Sequence, residues 1–121
     1  MLQYRLINIK YSMDTLTAIF GSPVKVKLLR LFLFNETTPF LLVEITERVK
    51  CLSALVKKEL NILEKVEIVK KRHVVKEVQI ERKGKMVVKK NEGQGYLLNT
   101  KFPYLESLKN LLTVTSLRAD E

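Results

Sequence analysis

Within the stretch SALVKKELNILEK, residues 53–65, the polar side chains toward the helix start that could bond a nucleic-acid partner are Ser53, Lys57, Lys58 and Asn61. Val56, Leu60 and Leu63 recur at i, i+4 and i+7, the spacing of a buried helical stripe, and the four polar residues, with Ala54, fall away from it. A helix that buries this stripe presents them outward. Lysine donates to phosphate or to guanine O6 and N7, asparagine pairs bidentately with adenine, and a serine hydroxyl at a helix start takes a phosphate together with the free N–H groups there. A merely solvated lysine face is the competing reading, and the neighbouring elements decide between the two.

The same sign of charge continues downstream. Residues 50–90 hold thirteen Lys or Arg against five Glu, an excess of +8 within a chain whose net charge is +9. Lys70, Lys71, Arg72, Lys83, Lys85, Lys89 and Lys90 are accordingly candidate phosphate contacts. Lysines that keep exposed strand edges from aggregating are the rival explanation. A pI near 9.7 favours polyanionic partners, nucleic acid before an acidic membrane surface. At 121 residues and 46% hydrophobic content, the chain suits one domain with its own core.

Other chemistries find little support. One cysteine, Cys51, and one histidine, His73, supply neither an internal disulfide nor a Cys/His metal set, which fits a reduced, cytoplasmic protein without cofactor. His73 has no nucleophile pattern beside it, so no catalytic residue is assigned and an enzyme is not expected. Gly93-Gln94-Gly95 lacks the strand–loop–helix setting and the Lys-Ser/Thr of a phosphate loop, and reads as a bend. The longest apolar run, around residues 28–34, is broken by Arg30 and falls short of a membrane span. Residues 1–13 show no export signal, and Met13 offers an alternative translation start.

The elements that must position these residues follow from period and punctuation. A short helix is expected over 14–20. A second runs from Pro23 to about Phe34, with Ser22 as N-cap and Pro23 at N1. After a loop at 35–39, a helix over 40–50 would bury Leu42 or Val43, Ile45 or Thr46, and Val49, turning Glu44, Glu47 and Arg48 outward. Ser53 is the expected N-cap of the next helix. From Ile68 the period falls to two, predicting a long basic hairpin over 68–98 that turns at Gly84, its return strand interrupted by a loop at NEGQG. A last helix starts near Pro103 with Leu105, Leu108, Leu111 and Leu112 on one face.

Three short helices and a hairpin, in this order, are the elements of a winged helix-turn-helix. Through IFGSPVKVKLLRLFLFN, EITERVKCLSALVKKELNILEKVEIVKKR and GYLLNTKFPYLESLKNLL the chain resembles winged-helix transcriptional regulators of the arsenical-repressor-like type over about residues 14–117. The resemblance implies an α+β fold: an extension at 1–13, a winged helix-turn-helix domain at 14–100 with a three-helix core and long hairpin wing, and a dimerisation helix at 101–121. It implies a homodimer, joined through Leu105, Leu108, Leu111 and Leu112, that binds double-stranded DNA with helix 53–65 in the major groove and hairpin 68–98 on the backbone. The family's S-x-x-V-x-x-x-L-x-x-L recognition helix matches Ser53, Val56, Leu60 and Leu63, but Ala54 and Leu55 stand where polar residues are common, and the metal-sensing ligands are absent. No membrane partner is implied, and a small-molecule effector is unknown. The alternative from a different class is a winged-helix protein-interaction module with only non-specific nucleic-acid affinity.

Overall fold

Ser22 fixes where the helical part of the fold is punctuated. Its backbone is extended and its Oγ accepts from the Lys25 N–H at 3.2 Å, with Pro23 following at N1, so helix 15–20 (α1) ends and Pro23–Leu33 (α2) begins within three residues. The computed structural model describes residues 15–119, with side chains through Thr113. The expected 1–13 extension, Met13 and Asp14 lie outside the described residues. After α2 come Phe40–Leu41 (β1), Leu42–Val49 (α3), Ser53–Lys65 (α4), Val69–Arg82 (β2), Lys85–Leu98 (β3) and Leu105–Ala119 (α5). The described residues therefore form an α+β fold of five helices and one antiparallel sheet of order β1-β3-β2, compatible with a winged helix.

The apolar stripes meet in a single core. Leu28, Leu29, Phe32 and Leu33 of α2, Ile45 and Val49 of α3, and Val56, Leu60 and Leu63 of α4 are buried together with Phe40, Val69, Tyr96 and Leu98 of the sheet. Phe32 and Phe40 meet edge to face, their ring centroids 5.8 Å apart. Within this packing Lys25 of α2 lies 3.5 Å from the buried Glu59 of α4 and donates to Phe20 O at 3.1 Å, tying α1, α2 and α4.

Several local expectations change. The helix expected over 40–50 begins at Leu42, because Phe40 and Leu41 pair with Tyr96 and Gly95 of β3. Ser53 is the first helical residue rather than the cap: the chain turns at Lys50, whose φ is 54°, Leu52 is extended, and Leu52 O accepts from Val56 N–H. Val43 is exposed and Ile45 buried, which resolves the two alternatives for the α3 face. Glu44 is not turned outward; it folds back on the start of its own helix.

NEGQG is no loop. β3 runs unbroken through it and stays in register with β2, Gly93 opposite Val74 and Gly95 opposite Arg72. Gly95 is demanded by close approach: a Cβ there would press on Val74 Cγ2 and stand 2.5 Å from Phe40 O. Gly93 meets only Leu41 Cδ2, at 4.0 Å. The hairpin closes through Lys83 and Gly84, with φ of 52° and 75°, the positive pair of a type I′ turn. Gly95→Ala should therefore cost about 1–3 kcal/mol by overpacking. Gly93→Ala should be near neutral; urea unfolding of the two variants checks the contrast.

Candidate nucleic-acid interface

The first requirement of an anion-binding surface is cations not already neutralised, and helix α4 meets it by pairing its two acids with lysines of other elements. Glu59 is buried against Lys25, and Glu64 pairs with Lys71 at 3.5 Å. Lys57, Lys58 and Lys65 remain on the exposed face with Ser53, Ala54 and Asn61, and none of the three lysines makes an ion pair among the described residues. Glu59 Oε2 has no hydrogen-bond partner of good geometry although the Lys25 ammonium stands 3.5 Å away, so the contact is a charge pair rather than a directed bond.

The hairpin sorts its charges by face. In the observed register Lys70, Arg72, Lys76 and Arg82 of β2 share a face with Lys85 and Lys89 of β3, six cations with no acid. The opposite face carries Lys71, Lys90, Glu77, Glu81, Glu92 and His73, with His73 3.6 Å from Glu92. On the cationic face Arg82 stands directly opposite Lys85, a like-charge cross-strand pair that weakens the hairpin end. The right-handed twist of a two-stranded ribbon winds this face about the arm.

An open groove of about 1070 Å³ separates α3 and the start of α4 from the arm. Ser53 and Lys57 line one wall, Lys76, Lys90 and Asn91 the other, with Glu44, Glu47 and Glu92 among them. Within the groove Lys57, Lys76 and Lys90 are matched by Glu44, Glu47 and Glu92, so the positive excess lies outside it. Of the expected contacts, Ser53, Lys57 and Lys90 are brought together here. Ala54, Lys58 and Asn61 sit on the outer face of α4, and Lys83, Lys85 and Lys89 lie toward the hairpin end. Lys70 and Lys71 gather instead with Glu64, Glu67 and Lys101 near the end of α4, and Arg72 with His73 and Gln94 at the arm's root.

The residues that sequence reasoning missed are Glu44 and Lys76. Glu44 Oε1 accepts from the Leu41 N–H at 2.9 Å, one half of a capping box whose other half a leucine cannot supply. The Lys76 ammonium reaches both oxygens of the same carboxylate, at 2.9 and 3.1 Å. It also lies 5.1 Å from the centre of the Phe40 ring, and the Arg48 guanidinium carbon lies 5.0 Å from that centre. Burial works to raise the Glu44 carboxyl, but the Leu41 bond, Lys76 and Arg48 outweigh it and hold it below the ordinary value of 4.5. The strict alternation of β2, which aligns Lys76 with Lys70, Arg72 and Arg82, was the signal that could have found Lys76.

The last helix is mostly spoken for. Leu105 and Leu112 are buried in the chain's own core and Leu108 packs against it, so of the four expected dimer residues Leu111, 43% exposed, is the one still facing outward. Among the described residues no helix is long and apolar enough to cross a membrane, and no three His, Cys, Asp or Glu side chains cluster to hold a metal. No protein-family model, curated protein or solved structure matches this chain.

Since the folded carboxyl of Glu44 titrates below its ordinary value, its ionised form stabilises the fold at neutral pH, and that contribution is lost as the pH falls through the folded value. The stability gap between wild type and Glu44→Gln, measured by urea unfolding, should narrow as the pH is lowered from about 7 to about 3. A gap of constant size would show that the carboxylate's charge does not contribute.

Proposed function

We propose that the chain is a winged helix-turn-helix DNA-binding transcriptional regulator, with α4 in the major groove and the hairpin as a wing along the phosphate backbone. The observation that carries this reading is the segregation of Lys70, Arg72, Lys76, Arg82, Lys85 and Lys89 onto one acid-free face of the wing. Edge protection requires cations on an exposed strand but no such division between faces. The unpaired Lys57, Lys58 and Asn61 on α4 provide the second rim, at the spacing of a groove-reading helix. The proposal includes a homodimer joined through α5, with Leu111 as the outward-facing leucine of the four.

A second reading has its own support. Leu52, Leu55 and Val66, 73%, 45% and 50% exposed, sit with Ile62 along one flank of α4, as they would on a module that docks another protein. Salt dependence separates the two. If the wing and α4 together engage about four to eight phosphates, the log–log salt slope of duplex binding should be about −4 to −7. A slope indistinguishable from zero leaves the interaction module.

Helix and wing should also fail differently when trimmed. Lys57→Ala or Asn61→Ala is expected to cost about 1–3 kcal/mol on a preferred duplex obtained by selection and much less on random DNA. Lys83→Asn combined with Lys85→Ala, the asparagine chosen to suit the positive φ at 83, should weaken both DNAs alike and flatten the slope by roughly two units. Fluorescence anisotropy on the two duplexes reads both. Equal losses for Lys57→Ala on specific and random DNA would make α4 a positioning element rather than a reader.

A further inference from the structure

Of the six cations on the acid-free face of the wing, five make no ion pair among the described residues: Lys70, Arg72, Arg82, Lys85 and Lys89. Lys76 is the exception. Its ammonium bridges both oxygens of Glu44, and the pair lies open to the groove, side chains 26% and 28% exposed, with Ser53 and Lys57 on the facing wall. Lys76 is thus the one cation of that face already committed to a carboxylate among the described residues, and its partner belongs to α3.

We infer that Glu44 is a built-in competitor for phosphate: it holds Lys76 in the free protein and yields it to a backbone phosphate when a duplex occupies the groove, so that this carboxylate sets the affinity of the interface. The inference rests on the DNA-binding reading above and adds a regulatory exchange to it. Three features favour an exchange over a permanent clamp. The pair is partly solvated, so separating it does not strand a buried charge. Glu44 keeps other partners when Lys76 leaves, the Leu41 N–H and the nearby Arg48. Lys76 keeps the Phe40 ring beside it, and a phosphate oxygen offers the ammonium a charge-assisted bond of the same kind.

The test is a mutant cycle on duplex binding: wild type, Glu44→Gln, Lys76→Gln and the double variant, each titrated on random duplex at several salt concentrations. Glu47→Gln serves as control, since Glu47 lines the same groove, is exposed and makes no ion pair among the described residues. Glu44→Gln should tighten binding about tenfold with little change in salt slope, because Lys76 meets a phosphate in both complexes, whereas Lys76→Gln should flatten the slope by about one unit. Glu47→Gln should give only a smaller gain common to removing any nearby negative charge, and Glu44→Gln in the Lys76→Gln background should give no more than that.

An unchanged slope in Lys76→Gln, or an equal gain from Glu44→Gln without Lys76, overturns the inference while leaving DNA binding intact. Absence of salt-dependent binding by the wild type overturns both. Because Glu44→Gln also loses part of the α3 cap, the wild-type chain supplies an independent measurement. The Lys76 Nζ resonance, followed by NMR, should shift on addition of duplex and acquire coupling to phosphorus, and an unmoved resonance in saturated complex overturns the exchange.

Discussion

The contact on which the molecule depends is the approach of the Phe40 carbonyl to the backbone at Gly95. It lets a strand of two residues, β1, pair with β3, and that pairing joins the helical layer to the hairpin. Everything else about the arm's placement follows from this seam. Phe40 enters the core beside Phe32, Leu41 starts α3, and Val74 is buried above Gly95. A side chain at 95 would push the strands apart where β1 and β3 pair.

A second ordering principle is electrostatic. Acidic residues near the helices are drawn into internal contacts: Glu59 with Lys25, Glu64 with Lys71, Glu44 with the α3 backbone and Lys76. The Glu59 and Glu44 contacts serve packing and capping, while Glu64 and Lys71 pair at the surface. Each pair cancels one positive and one negative charge, so the cations left without a carboxylate partner, such as Lys57 and Lys58, carry the excess. Asn99 works in the same spirit without charge, donating to Glu67 O at 2.8 Å and fastening the foot of β3 to the turn after α4.

Long periodic segments were legible from sequence, and isolated contacts were not. The Val56, Leu60 and Leu63 stripe, the Ser22–Pro23 helix start and the hairpin turn at Gly84 each rest on local chemistry that needs no partner. β1 was hidden because two residues carry no period. The NEGQG segment read as a loop because glycine signals flexibility locally, whereas here it signals that another strand is close. The leucines of α5 read as a free stripe because sequence shows which residues face together but not what they face; the core of this fold had room for Leu105 and Leu112. At the candidate site, charge and helix spacing pointed to the α4 residues, while the Glu44–Lys76 pair spans thirty-two positions and belongs to tertiary structure alone.

Among the described residues no hydrogen bond or ion pair ties the arm to the body beyond Lys76, and the strand from there to Arg82 extends for about 20 Å. Mechanically it is a cantilever. A rotation of about 10° at the root carries the far end through roughly 3.5 Å, comparable to the spacing of adjacent strand residues. Where the end charges arrive is thus set by the stiffness of Val74, Gly95 and Phe40, residues that carry no charge. Evolution can re-aim this arm by altering a small apolar contact at its base, leaving every lysine in place.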